Sequence, residues 1–249
     1  MKAILTIGGT DPTSAAGVFR DLNVFYENNI YGIAIVTAVT AQNSNRYFSH
    51  DLISQKVIKE QLKATFGEFD IHYVKLGMLA SSKTVETIAN FLSKYSLTIV
   101  YDPVLKSSSG GLMHDKNFEQ SIKTHLVPMV DLLTPNIPEC EMITGIPVTD
   151  FNEETLKSFY KKIGAKNLLI KGGHRIGKKS TDYLVTALGI NEYSLERIPN
   201  KEVRGTGCSL ASAIISELYK GETIEEAVKK SKNWIWEKIR TTKNNIFYY

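Results

Sequence analysis

The feature that most constrains this chain is an alternation of short, almost wholly apolar runs with segments of helical period. The runs are "AILTIGG" (3–9), "YGIAIVTAVTAQ" (31–42), "IHYVKLG" (71–77), "LTIVYDPV" (97–104), "MVDLLTPN" (129–136) and "KNLLIKGG" (166–173). A strand with one wet face alternates apolar and polar residues. Continuous apolar runs belong to strands covered on both faces, as in parallel sheets. "STDYLVTAL" (180–188) and "EYSLERIP" (192–199) extend the strand set. Helical patterns fill the intervals at 14–28, 52–66, 82–94, 116–125, 138–144, 153–163, 208–219 and 223–240. In 14–28, Val18, Leu22, Phe25 and Tyr26 share a face. The alternation predicts an α/β fold, a three-layer αβα sandwich around a central, mostly parallel sheet. The chain has 249 residues, 43% of them hydrophobic, enough for one core and one domain spanning 1–249.

No apolar run approaches the ~18 residues of a membrane span, and "MKAILTIGGTDP" reads as a first strand rather than a leader peptide. Two cysteines make no disulfide framework, so a reducing, cytoplasmic setting is expected. Charge is uneven: residues 1–156 hold 12 Lys and Arg against 17 Asp and Glu, residues 157–249 hold 18 against 9. The basic residues are scattered, without interleaved aromatics. We read them as solvated faces plus a local anion site, not as a nucleic-acid surface.

In such sheets ligands gather at the carboxyl ends of strands, and the chemistry-bearing residues lie there. Gly8 and Gly9 end the first strand and allow close approach of backbone to a ligand. Asp21 stands between Val18 and Leu22, either facing solvent or receiving a ligand's N–H. Gln42 offers donor and acceptor together, suited to a heterocycle edge, and Met78 ends "KLGM" as core filler or pocket wall. Asp102 follows an apolar strand; Asn136 and Glu139 follow another. Three oxygen-bearing side chains on two strand tips suit Mg²⁺ or phosphate-bound water, or are separate caps and turns. "KSSSGG" (106–111) reads as a polar loop.

Gly172, Gly177 and Lys178 imitate a phosphate-binding G-x-x-x-x-G-K loop, but Lys179 stands where Ser or Thr is needed and a strand follows where a helix should. The segment is read instead as a hairpin with a basic flap, in which Lys171 can meet a phosphate and His174 is a turn residue. "RGTGCSL" (204–210) is the strongest local signal. Gly205 and Gly207 free backbone N–H groups to converge at a helix N-terminus, an anion cradle of the kind that stabilises a transferring phosphoryl group. Cys208 sits in that first turn, where a thiol pKa is expected to fall. It is a thiolate base, a lining group or a buried structural thiol. Cys140 has no such setting.

"LTIGGTDPTSAAG…RDL", "TAVTAQN", "KLGMLAS", "DPV…SG", "LLTPNIPE", "KGGH" and "GTGCSLASAI" follow one another over roughly residues 3–235. The set resembles the hydroxymethylpyrimidine and phosphomethylpyrimidine kinases of thiamine biosynthesis, within the ribokinase-like superfamily. The resemblance implies a ribokinase-like sheet, usually a homodimer, and MgATP-dependent phosphorylation of 4-amino-5-hydroxymethyl-2-methylpyrimidine and then of its monophosphate. It implies that Asp21, Gln42 and Met78 hold the pyrimidine with Gly9 lining the pocket. Asp102, Asn136 and Glu139 match the phosphate and magnesium side; Lys171 and Thr206 match nucleotide-phosphate contacts. Cys208 matches the place of a catalytic aspartate in many ribokinase-like enzymes, beside Gly205 and Gly207.

The chain departs from the family's pattern in four places. Thr13, Ser14, Ala15 and Ala16 replace a more glycine-rich stretch before Gly17. Ser108 stands where a lysine is usual, with Lys106 two residues earlier. Arg204 replaces a histidine, and "TTKNNIFYY" replaces a glycine-rich tail. These changes bear most on the second phosphorylation, which must hold a substrate phosphate. Two other readings keep part of the pattern. A pyridoxine or pyridoxal kinase shares the cradle; a non-catalytic pyrimidine-phosphate sensor would keep Asp21 and Gln42 but lose the metal and phosphate groups.

Overall fold

The computed structural model describes residues 2–43, 45–105, 114–148, 151–173, 177–243 and 246–247. The loop 106–111 and His174 lie outside these residues. Nine strands form one sheet among the described residues: β1 (Lys2–Gly9), β2 (Gly32–Gln42), β3 (Tyr47–Leu52), β4 (Asp70–Leu76), β5 (Thr98–Tyr101), β6 (Leu132–Leu133), β7 (Leu168–Lys171), β8 (Lys179–Thr186) and β9 (Gly189–Glu196). Their order is β3-β2-β1-β4-β5-β6-β7-β8-β9. The six strands from β2 to β7 in this order pair parallel. β3 at one edge and the β8–β9 hairpin at the other pair antiparallel.

The side-chain alternation of the central strands explains the continuous apolar runs. Ala3, Leu5 and Ile7 enter one core and Ile4 the other; Ile99 and Tyr101 oppose Val100, and Leu168 and Ile170 oppose Leu169. One layer is α1 (Gly17–Glu27), α7 (Thr206–Tyr219) and α8 (Ile224–Thr241), which bury Phe25, Ile214, Ile215 and Val228 against the sheet. The other is α2 (Gln55–Glu68), α3 (Ser82–Leu92), α4 (Phe118–Ser121), α5 (Ile137–Thr144) and α6 (Glu153–Ile163), with Leu62, Ile88 and Phe159 inside. This is the expected three-layer αβα sandwich.

Several boundaries differ from expectation. Strands expected at 97–104 and 129–136 shorten to β5 and β6, because Pro103 and Pro135 cannot donate to the ladder. β3 was not expected: "YFSHDL" is mostly exposed and polar, lacks an apolar run, and is held by its antiparallel pairing with β2. The helix expected over 116–125 is a single turn, α4, followed by a wide π-helical turn at Ile122–Leu126. β8 follows Gly177 and Lys178 and pairs antiparallel with β7, as expected once a phosphate-binding loop is rejected, and β9 extends the sheet by a second antiparallel pairing. Cys140 is fully buried in the core on the α5 side, and burial raises its thiol pKa.

Candidate active site

Every parallel strand ends on the same side of the sheet, and α7 points its N-terminus at that edge. Gly205 caps α7 with φ +77°. A β-carbon on it would lie 1.6 Å from the carbonyl oxygen of Ala15, so only glycine fits. The first helical bond runs from the Ser209 N–H to the Gly205 carbonyl. The helix therefore offers no partner to the N–H groups of Thr206, Gly207 and Cys208. A β-carbon at Gly207 would stand 3.3 Å from Lys171 Nζ and 3.6 Å from Asp102 Oδ2. The cradle, the tip of β7 and the tip of β5 thus meet at one point, as the spacing in the sequence could not specify.

Lys171 donates to Asp102 Oδ1 at 2.5 Å, and Thr134 Oγ1 donates to the same oxygen at 3.2 Å. Burial works against the Lys171 charge, but Asp102 and Glu139 outweigh it and hold the ammonium above its ordinary pKa. Asn136 and Glu139 form a reciprocal capping box on α5. The Glu139 N–H donates to Asn136 Oδ1 at 2.9 Å, and the Asn136 N–H donates to Glu139 Oε2 at 2.7 Å. Burial and the nearby Asp102 carboxylate lift Glu139 to about 7, against the pull of Lys171.

No cluster of three metal-binding side chains occurs among the described residues. Asp102 and Glu139 are two hard oxygen donors that repel each other. That donor set fits Mg²⁺, which keeps several waters and takes phosphate oxygens.

Asp21 is neither solvent-facing nor open to a ligand. Oδ2 accepts from Thr6 Oγ1 at 2.6 Å and Lys75 Nζ at 2.8 Å; Oδ1 accepts from Ser212 Oγ at 2.8 Å and Lys75 Nζ at 3.0 Å. Both oxygens are engaged inside the protein. Lys75, 1% exposed in β4, is the residue that sequence reasoning missed. Its one signal was a lysine inside the apolar run "YVKLG". Burial lowers its tendency to hold a proton, but Asp21, Cys208 and Asp102 more than compensate and the ammonium stays charged.

Cys208 lies half-buried in the first turn of α7. Its pKa moves up, not down as expected from its place at a helix N-terminus. Burial and the Asp21 and Asp102 carboxylates outweigh Lys75 and the backbone N–H of Gly17, which donates to the sulfur.

Beside the cradle, Gly9 and Met78 form an apolar wall: a β-carbon on Gly9 would reach Met78 Sδ at 2.9 Å. Met78 packs with Ala38 and Ala80, flanked by Tyr47 and Val104. Tyr47 Oη is hydrogen-bonded to His50 Nδ1. Ala80 has φ +63° in a tight turn closed by the Ser81 N–H on the Leu79 carbonyl. Strain of this kind tends to be stored at functional sites. Gln42 ends β2, where its Oε1 accepts from Arg204 at 3.0 Å. Asp11, fully buried, ties down the loop over the cradle by accepting from the Thr13 and Ala16 N–H groups.

Comparison with known proteins agrees with this architecture. The sequence profile of the family described as phosphomethylpyrimidine kinase matches residues 11–246. A hydroxymethylpyrimidine/phosphomethylpyrimidine kinase of Staphylococcus aureus is 38% identical over 97% of this chain and 89% of its own. The crystal structure of a phosphomethylpyrimidine kinase from Clostridium difficile superposes with a TM-score of 0.82 at 35% identity, covering 95% of this chain and 99% of that one. A Bacillus subtilis pyridoxal kinase solved as an ADP complex has a TM-score of 0.86 at 26% identity, over 98% and 94%. With a ribokinase-like sheet, a glycine cradle facing Lys171 and Asp102, and relatives that match nearly end to end, this chain belongs to the phosphomethylpyrimidine kinase family.

Proposed function

We propose that this chain is an MgATP-dependent kinase of thiamine biosynthesis that phosphorylates the hydroxymethyl group of 4-amino-5-hydroxymethyl-2-methylpyrimidine and then the resulting monophosphate. The observation that carries the reading is the convergence of Gly207, Lys171 and Asp102 at the N-terminus of α7. Phosphoryl transfer needs little covalent chemistry from the protein and is driven by positioning and charge stabilisation. The N–H groups of Thr206, Gly207 and Cys208 receive the charge that develops on the transferring group. Lys171 holds the nucleotide phosphates. Asp102, with Glu139, holds the metal, and Asn136 fixes Glu139 through the capping box. Mg²⁺, when bound, neutralises charge on the phosphate oxygens.

The acceptor ring lies against Gly9, Met78, Ala38, Ala80, Tyr47 and Val104, with Gln42 at its polar edge. Asp21 contributes by anchoring Lys75 beneath the cradle rather than by touching the ring. Cys208 enters the reaction as a neutral thiol lining the cradle, since its upward-shifted pKa disfavours a standing thiolate. A cytoplasmic setting, where ATP is available and thiols stay reduced, belongs to the same proposal. So does a homodimer.

The intact phosphate and metal groups argue against a non-catalytic sensor. The pyridoxal kinase likeness keeps one competitor, and the assay that decides is turnover with MgATP against three acceptors. We expect kcat/KM for the free pyrimidine or its monophosphate to exceed that for pyridoxine at least tenfold. A preference for pyridoxine overturns the substrate assignment, and tight pyrimidine binding without turnover overturns the enzyme.

A further inference from the structure

The orientation of the Gln42 amide follows from its partners. Thr40 Oγ1 donates its single proton to the Thr10 carbonyl at 2.7 Å. Toward Gln42 that hydroxyl can therefore only accept, and it does so from Nε2 at 3.0 Å. On the other side stands a guanidinium, which can only donate: Arg204 Nη2 reaches Gln42 Oε1 at 3.0 Å. Two independent neighbours thus impose one and the same amide orientation. The carbonyl faces Arg204 and the nitrogen faces Thr40, leaving one N–H and one lone pair for a ligand.

Arg204 is itself held in place. Its Nη1 donates to the Asn43 carbonyl, and its Nη2 lies 3.7 Å from Asp11 Oδ2. Asp11 is the buried carboxylate that orders the loop over Gly205. One side chain therefore ties the β2 end, the β1–α1 loop and the start of α7 together, next to the cradle.

We infer that Arg204 is a positioning residue that locks the Gln42 amide so that the acceptor meets a fixed Nε2–H. It thereby favours a heteroaromatic ring carrying an unprotonated nitrogen at that edge. The inference rests on the kinase reading for its substrate class. Without Arg204, the single contact from Nε2 to Thr40 is left to oppose a half-turn of the amide, and a turned amide presents its carbonyl to the same ring nitrogen, exchanging a hydrogen bond for lone-pair repulsion.

The test is a double-mutant cycle on 4-amino-5-hydroxymethyl-2-methylpyrimidine, read both as KM and as calorimetric Kd. Arg204→Ala is expected to raise KM and Kd for the pyrimidine about tenfold, the worth of one hydrogen bond to a charged or well-placed partner. KM for MgATP should stay within about twofold. Arg204→Lys, which keeps a donor, restores part of the loss. Gln42→Ala weakens binding similarly, and the double variant is no worse than Gln42→Ala alone. Losses that multiply in the double variant, an unchanged pyrimidine Kd in Arg204→Ala, or an equal rise in KM for MgATP overturn the lock. If Arg204→Ala does not fold, the Arg204→Lys and Gln42→Ala cycle decides by the same criteria. Absent turnover by the unmodified enzyme refutes the kinase reading instead, and the calorimetric arm still tests the lock.

Discussion

At the scale of single residues, the site is organised by buried charge. The Asp21–Lys75 pair is 1% exposed on both sides and lies beneath the cradle. A pair of this kind is strong only while complete, because removing one partner strands the other charge without water. Lys75→Met should therefore lower stability by about 3–5 kcal/mol. The double change Asp21→Asn with Lys75→Met should recover much of that, measured by urea unfolding. If Asp21 instead held the substrate, Asp21→Asn would raise KM at unchanged stability. Cys208 gives the second residue-scale prediction. Its thiol should titrate above the ordinary cysteine range when followed by thiolate absorbance, and alkylation at pH 7.5 should be slow. A thiolate already formed near pH 7 would restore the base role. Both residues were visible in the sequence as candidates, but their electrostatic state was not. It depends on Lys75 and Asp102, which lie 133 and 106 positions from Cys208 along the chain.

At the scale of elements, the order of strands and helices was legible because the central strands bury both faces and leave an unbroken apolar signature. What was not legible is held by pairing rather than by composition. β3 exists through its register with β2, in which His50 opposes Thr40 and Ser49 opposes Ala41. α5 is legible through Asn136 and Glu139, which the sequence offers either as phosphate and metal groups or as caps and turns, and the fold makes them a capping box. The two roles are compatible, and they set a pH dependence. Burial lifts the Glu139 carboxyl from about 4.5 in the unfolded chain to about 7 in the fold. The folded state therefore holds this proton more tightly. The resulting stabilisation is complete below about pH 4.5 and is lost as pH rises through 7. The loss is on the order of 3 kcal/mol by pH 8. Glu139→Gln should flatten that slope in urea midpoints taken at pH 5 and pH 8, and should raise the Mg²⁺ concentration needed for half-maximal turnover. A slope unchanged by the substitution would show that another group carries it.

At the scale of the whole molecule, the site was legible as a set of strand tips because a parallel sheet brings all its carboxyl ends to one edge, whatever their separation in sequence. The outer surface was less legible, since an exposed apolar side chain looks the same in sequence as a buried one. The β2–β3 ribbon leaves Val39, Phe48 and Leu52 about half exposed, with Val57 of α2 also exposed. β3 is moreover a sheet edge whose outer backbone groups have no strand partner among the described residues. Edges of this kind either carry charges or proline that discourage pairing, or are covered. Leu52 opposes Ala38 and Asp51 opposes Val39, so Leu52 and Val39 face opposite sides and the ribbon exposes apolar side chains on both faces. It also carries Gln42 and Tyr47, which the proposed function sets against the acceptor ring. A second copy wrapped around this ribbon would bury these side chains and stiffen the strand that carries Gln42 and Tyr47. Phe48→Asp with Val39→Asp should therefore convert a dimer to a monomer in sedimentation velocity at micromolar concentration. The same variant should raise KM for the pyrimidine more than KM for MgATP, because Gln42 pairs with Tyr47 of β3 whereas Lys171, at the tip of β7, is separated from β3 by five strands. An enzyme that sediments as a monomer before substitution removes the dimer. A dimer that persists in the variant moves its interface to another face.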